Sequence, residues 1–392
     1  MKILHVTNSM NPAFGGLSAY LRSLVPALAA IGHPSEILSL DQPGAAFLPA
    51  IPAPVHALGP VSPGYGYTPR LRPWLAAAAG RFDAVIIHGL WQYHGLATHL
   101  VLAPAGSPRT FVFPHGMLDP WFKQTYPLKH FRKWLYWWLA ERRVLRGASA
   151  VLFTCEEERR LARQSFPGSS YRESVVTFGT AAPPDNPAAQ RAEFLLRVPG
   201  LHDRPFWLFL GRIHPKKGVD LLIDAYAALA HGGAALPRLV IAGPCEDEAY
   251  LRQLRDRAVA TCPAGSVLWP GMITGDVKWG ALRCAAAFVL PSHQENFGIA
   301  VVEALACGTP VLISNQVNIW REIAEEEAGL IEPDTVEGTL RLLSRWLALD
   351  EAAVHAMRTA ARRSFAQRYE IGAVAHSLVA ALQASLPARA AP

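Results

Sequence analysis

Two glutamates, Glu295 and Glu303, stand eight positions apart in Pro291-Ser-His-Gln-Glu295-Asn296-Phe297-Gly298-Ile299-Ala-Val-Val-Glu303-Ala-Leu-Ala-Cys-Gly308-Thr-Pro310. An apolar run, Ala287-Phe-Val-Leu290, leads in, and a second, Val311-Leu-Ile313, leads out. That order predicts a strand, a polar loop, a helix from about Gly298 and another strand. Residues after a parallel strand line the ligand crevice of an α/β sheet. The free amides at the helix N-terminus, from Asn296 to Ile299, would point at an anion there. Carboxylates beside a phosphate repel it, but they make sense if they grip neutral hydroxyls of the same ligand. A sugar attached to a nucleoside diphosphate supplies both kinds of group.

A pair of cations precedes them. In Leu210-Gly211-Arg212-Ile-His-Pro-Lys216-Lys217-Gly218 a strand ends at Gly211 and a helix starts near Gly218, so Arg212 and Lys217 project from one loop. Cleaving a sugar from a diphosphate leaves growing negative charge that needs cations placed in advance. Arginine gives a bidentate fork and lysine a point charge. Such a pair can replace the metal that many transferases hold with Asp-x-Asp, a motif not found in this sequence, so no metal or other cofactor is expected. Glu246-Asp247-Glu248 reads as a helix-capping loop. Gly15-Gly16 follows the first strand and either lets amides approach the donor phosphates or makes a plain turn. Met272, just after Gly271, is read as a backbone contact for the base. His88 and His115 each end a buried strand, where side chains face the crevice, whereas His94 and His99 fit helices or loops.

The Pro291 to Pro310 segment resembles the donor-site signature of the family 4 retaining glycosyltransferases, enzymes of the GT-B fold. Glu295 and Glu303 fall on the two glutamates of that family's E-x7-E motif, and Asn296 replaces a glycine often found there. The resemblance spans nearly the whole chain, strongly from Phe206 to Ile313 and loosely in the first domain. It implies that Arg212 and Lys217 contact the diphosphate. Glu303 is assigned to the ribose and Glu295 to the donor hexose, with Asn296, Phe297, Gly298 and Ile299 as further donor contacts. Gly15-Gly16 resembles the family's glycine pair. His115-Gly116 looks like its "HG", whose histidine touches the donor sugar near the reacting carbon, and His88 is placed on the acceptor side. The expected reaction moves a hexose from a nucleotide sugar to a hydroxyl acceptor without metal. The stretch from Ser292 to Trp320 resembles users of GDP-mannose and GDP-fucose slightly more than others. A GT-B sugar-nucleotide epimerase and a non-catalytic sugar-nucleotide sensor are the alternative readings.

Such a site needs two domains behind it. At 392 residues the chain exceeds what one core usually holds. Short apolar runs alternate with helical stretches, the βαβ signature of parallel sheets. One series holds Ile3-Leu-His-Val6, Val85-Ile-Ile87 and Thr110-Phe-Val-Phe113; the other holds Phe206 to Leu210, Leu239 to Ala242, Val267 to Trp269, Ala287 to Leu290 and Val311 to Ile313. Thr180 to Pro187 reads as the linker. The expectation is a GT-B architecture, two Rossmann-like domains facing across a cleft. Residues 1–180 make the acceptor domain and 200–365 the donor domain, with a helix over 371–386 crossing back to the first. Hydrophobic residues make up 51% and charged residues 17%, with a net charge of +6 that suits anionic partners. Five scattered cysteines without a C-x-x-C pair point to a reducing cytoplasm. Polar Thr7-Asn-Ser9 cuts the first apolar run too short for a signal peptide, and no uncharged window is long enough to span a bilayer.

The segment Trp121 to Arg146 carries eight aromatics and seven lysines or arginines against a single acid, Glu141. It reads as a helix from Pro127. Its basic residues and tryptophans suit an anionic membrane surface, with Lys129, Arg132, Lys133, Trp134 and Trp137 as the contacts. Leu128, Phe131, Leu135 and Trp138 also carry a spacing that fits core packing. Nothing else resembles a nucleic-acid module. Family members commonly build bacterial polysaccharides on lipid carriers, so a lipid-linked or oligosaccharide acceptor is expected. The enzyme is then cytoplasmic, held at the inner face of the plasma membrane.

Overall fold

Strands buried on both faces of a parallel sheet must be apolar nearly throughout, and the runs above become such strands. The computed structural model describes residues 1–14, 16–121, 123, 127–168, 170–202 and 204–385. Its chain divides into two units, one of Met1–Thr180 with the C-terminal helix Ile371–Ala384, the other Ala181–Glu370. The first unit holds β1 (Ile3–Thr7), β2 (Ser35–Ser39), β3 (Val55–Ala57), β4 (Ala84–His88), β5 (Arg109–Phe113), β6 (Ala150–Phe153) and β7 (Glu173–Val175). They form one parallel sheet in the order β3-β2-β1-β4-β5-β6-β7. Helix Gly16–Ala30 follows β1, and Ile371–Ala384 packs against it.

The second unit holds β8 (Phe206–Leu210), β9 (Arg238–Ala242), β10 (Val267–Gly271), β11 (Ala287–Leu290), β12 (Val311–Ser314) and β13 (Gly329–Glu332), parallel in the order β10-β9-β8-β11-β12-β13. Residues 181–199, between the two expected domains, belong to this unit. Helix Pro187–Arg197 starts with proline at its first turn, where the missing N–H costs nothing. It lies so close on helix Gly275–Cys284 that a Cβ on Gly280 would overlap the Gln190 carbonyl. Gln190 is fully buried there and donates to Asp276 Oδ1 at 3.2 Å. Asp247 caps helix Glu248–Thr261 by accepting from the Ala249 and Tyr250 amides, as the acidic cluster suggested.

Candidate active site

In the second unit the strand order reverses between β8 and β11, so the loops after these two strands leave the sheet side by side. Ligands bind at such a switch point. The two loops are joined through one carbonyl: Lys216 O accepts from the His293 amide and from Ser292 Oγ, both at 2.8 Å. Gly218 sits at φ +65°, and a Cβ there would run into the Pro291 carbonyl, so only glycine lets the loops close. On its other side the β11 loop is held to residues after β12. The Glu295 amide donates to Gln316 O at 3.0 Å, and Glu295 O accepts from the Asn318 amide at 2.9 Å.

Four charges meet on this frame as two pairs. Lys217 Nζ is bonded to Glu295 Oε2, with both side chains largely buried. Lys278 Nζ lies 2.6 Å from Glu303 Oε1 and 4.2 Å from the centre of the Trp279 ring. The two carboxylates are therefore compensated before any ligand arrives, which answers the repulsion that their proximity to a phosphate would raise. Arg212 stays open, with its side chain 57% exposed and only a loose contact of 3.9 Å to Glu246. Gly298, at φ +77°, turns the chain into helix Ile299–Ala306, whose first amides lack intrahelical acceptors by helix geometry. The Phe297 ring is buried against Tyr369, so any donor contact from Phe297 falls to its backbone. Met272 is 63% exposed at the end of β10. Lys278 was not read from the sequence, nor was His293 on the β11 loop, which bonds Asp334 Oδ2 at 2.8 Å and whose pKa this bond raises.

In the first unit β1 and β4 flank the corresponding reversal, and a row of imidazoles crosses it. His5 Nδ1 lies 3.0 Å from His88 Nε2, and His88 Nδ1 lies 3.0 Å from His115 Nε2. Neighbouring rings stack with centroids 5.2 Å apart. Burial pushes His5 and His115 down to about 3, and holds His88 well below the ordinary value with help from the facing imidazoles. All three rings are thus neutral at physiological pH. His115 sits at φ +52°, and its Gly116 amide donates to the buried Glu158 at 2.5 Å. The placement of His88 on the acceptor side needs correcting. It is 2% exposed and both ring nitrogens are engaged, so it reaches a substrate only through His115. Gly16 opens helix Gly16–Ala30, while Gly15 lies outside the described residues.

Residues 131–147 form one helical run whose middle, Trp137–Glu141, is a π turn. Trp137 was expected at a membrane, but it is 1% exposed, stacks on Phe166 at 4.8 Å and donates to Pro167 O at 3.3 Å. Lys133 is also drawn inward, over the Trp91 ring at 5.1 Å, and desolvation lowers its pKa. Phe131 (60%), Trp134 (39%), Leu135 (47%), Trp138 (39%) and Leu139 (70%) are instead exposed together, beside exposed Arg132, Arg143 and Arg146. For Phe131, Leu135 and Trp138 the core reading of the stripe therefore fails. The Lys129 side chain lies outside the described residues.

Two family models match: "Glycosyl transferase 4-like domain" over residues 15–179 and "Glycosyl transferases group 1" over 193–364, together most of the chain. The chain belongs to the family 4 glycosyltransferases. Its fold is GT-B, two parallel-sheet α/β domains. A D-inositol 3-phosphate glycosyltransferase of Jonesia denitrificans is 36% identical over 132 residues, 32% of this chain and 31% of that protein. One from Kineococcus radiotolerans is 28% identical over 64% of this chain and 61% of its own length. The chain thus covers less than two thirds of either curated relative. Among solved structures, Anabaena HepE in complex with UDP and glucose superposes with TM-score 0.71 over 98% of this chain and 100% of that one, at 17% identity. A Rickettsia africae glycosyltransferase gives 0.74 over 99% of both chains, at 13% identity. In this chain the second unit brings Lys217 to Glu295 and Lys278 to Glu303, with Arg212 on the same loop as Lys217, and the first gathers His88 and His115 with His5, which the sequence reading passed over.

Proposed function

We propose that the chain is a retaining hexosyltransferase that moves a sugar from a nucleotide donor to a hydroxyl acceptor without metal. The observation that carries this reading is the junction after β8 and β11, where Lys217, on the loop that also carries Arg212, is bonded to Glu295 across loops locked through Lys216 O, and the helix that follows carries Glu303. Lys217 and Arg212 would take the diphosphate, with the dipole of helix Ile299–Ala306 adding partial positive charge. As the diphosphate departs, its charge grows, and Lys217 can shift its bond from Glu295 toward a phosphate oxygen, freeing the carboxylate for sugar hydroxyls. Glu303, held by Lys278, would accept from the ribose. HepE is described with UDP, so a UDP-hexose is tested beside GDP-mannose and GDP-fucose.

The acceptor we propose is an amphiphile in an anionic membrane. Support comes from the exposed apolar face from Phe131 to Leu139 beside Arg132, Arg143 and Arg146. Each basic residue near such a surface contributes about 1 kcal/mol. Among the described residues no helix is long and apolar enough to cross a membrane.

Nucleotide release from each donor, measured with and without membrane extract as acceptor source and with and without EDTA, tests the reading. Release should depend on acceptor and survive chelation, and Lys217→Ala should lower kcat by a factor on the order of 10² to 10³. Release without sugar transfer favours an epimerase or hydrolase. Binding without turnover favours a sensor. Loss on chelation, restored by magnesium or manganese, removes the metal-free mechanism.

A further inference from the structure

We infer that His5 and His88 are positioning residues that fix the tautomer His115 presents, an inference that rests on the proposed contact of His115 with the donor sugar. A neutral imidazole carries one N–H and one lone pair. Two bonds joining three neutral rings therefore allow only two arrangements. In one, His5 Nδ1–H donates to His88 Nε2, His88 Nδ1–H donates to His115 Nε2, and His115 Nδ1 carries hydrogen. In the other every bond is reversed, His115 Nδ1 is a lone pair, and His5 Nε2 carries hydrogen. With these contacts kept, His115 cannot change its hydrogen-bonding face unless both rings behind it change too.

Two further observations favour positioning over space filling. His5 Nε2 and His115 Nδ1, the outer atoms of the row, are buried and find no hydrogen-bond partner among the described residues. Apolar residues at positions 5 and 88 would fill the same room without leaving a buried nitrogen unpaired. The row is also clamped. His94 Nε2 bonds the His88 carbonyl at 2.9 Å, Phe113 lies against both His88 and His115 with interplanar angles of 10° and 7°, and Glu158 fixes the Gly116 amide. His115 is thus oriented by a partner that is itself oriented, as a catalytic imidazole commonly is.

The first test uses the intact protein with 15N-labelled histidine. Through-bond 15N–15N coupling should appear across both contacts, and His5→Phe should alter the tautomer signals of His115. Missing coupling, or a His115 spectrum indifferent to His5→Phe, overturns the inference without any appeal to turnover. The second test reads donor turnover with UDP-glucose and GDP-mannose, and affinity for UDP and GDP. His88→Leu should lower kcat on the order of tenfold or more while leaving KM and nucleotide affinity unchanged. His88→Asn, whose amide reaches the Nδ1 position and can still bond His115, should recover most of that loss. Equal activity of the Leu and Asn variants would show that His88 only fills space. If His115→Ala itself leaves turnover intact, the reading of His115 has failed; if only the His88 variants are silent, that reading stands and the positioning role falls.

Discussion

Acidification should unfold the first unit well before the second. The perturbation is a change from pH 7.0 to 5.5, and the sensitive groups are His5, His88, His94 and His115. Burial lowers all four, with His5 and His115 near 3 and His94 near 4, from an ordinary value of 6.5. In the native state they stay neutral at pH 5.5, whereas the unfolded chain binds a proton at each. The unfolded state therefore gains stability as pH falls through 6.5, and goes on gaining down to the folded values. With all four still neutral in the native state at pH 5.5, each loses somewhat more than about 1 kcal/mol over this interval, or about 5 kcal/mol together. Glu141 opposes them: burial lifts it to about 8, so the native state keeps its proton while the unfolded chain gives it up. Because the native state holds a proton that the unfolded chain lacks throughout this interval, Glu141 restores about 2 kcal/mol between pH 7.0 and 5.5. The net loss is about 3 kcal/mol, a large share of a typical domain's stability. Hydrogen exchange at the β1, β4 and β5 amides, corrected for the intrinsic rate at each pH, measures it. Amides of β8 and β11 are the internal control, since the shifted histidines of that unit oppose one another, His293 raised by its bond to Asp334 and His214 lowered by desolvation. Protection in the first unit that changes by less than about 1 kcal/mol would refute the reasoning.

Glu303→Ala should weaken nucleoside diphosphate binding in calorimetry, while Glu295→Ala should leave it nearly unchanged and depress turnover; equal losses of affinity would break that division of roles. Gly218→Ala forces a left-handed alanine against the Pro291 carbonyl, so a loss of at least about 1–2 kcal/mol in unfolding free energy is expected, together with weaker turnover; an unchanged Tm and kcat would mean that the loops do not depend on their close approach. Trp137→Ala should cost about 3–5 kcal/mol by leaving a core cavity, whereas Trp138→Ala should spare stability and weaken binding to anionic vesicles. Changing Arg132, Arg143 and Arg146 to Glu should abolish sedimentation with anionic vesicles at low salt; if the wild type itself ignores such vesicles, the exposed face serves another purpose.

Most strands legible in the sequence, such as β1, β4, β8 and β11, have neighbours on both sides and are buried as unbroken apolar runs, although the edge strand β10 was legible too and the short interior β6 was not read. β2 escaped notice because its Ser-Glu-Ile-Leu-Ser reads as polar, yet Glu36 is tolerated there by Lys2, His56 and Arg81, which lower its pKa against the cost of burial. β3 and β7 are three-residue edge strands, too short for periodicity to register. In the donor site the loop residues were readable because glycine, proline and charge recur in a fixed local frame. Lys278 was not, since its partner Glu303 lies a helix and a strand away and nothing nearby marks it. His5 was invisible for a related reason: inside a buried strand it looks like an isolated polar interruption, and only the sheet reveals that strands β1 and β4 set it against His88. The aromatic helix was half legible, because composition announced an unusual surface while the π turn decided which tryptophan belongs to it.

That π turn has a consequence for how the chain can vary. Each residue in an α-helix advances the side chains by about 100°, and a π turn accommodates one residue more than the α-helical repeat it interrupts. Losing a single residue from Trp137–Glu141 would restore ordinary winding and leave the upstream turns near their present facing relative to Val144 and Leu145, because the wide turn already absorbs the extra residue; the same loss from ordinary α-helix would rotate them by about 100°. Phe131, Trp134 and Leu135 would keep their common exposed face in the first case and swing away from it in the second. The π turn is therefore the place where this helix tolerates a one-residue change in length without losing that face, a tolerance its ordinary turns do not have.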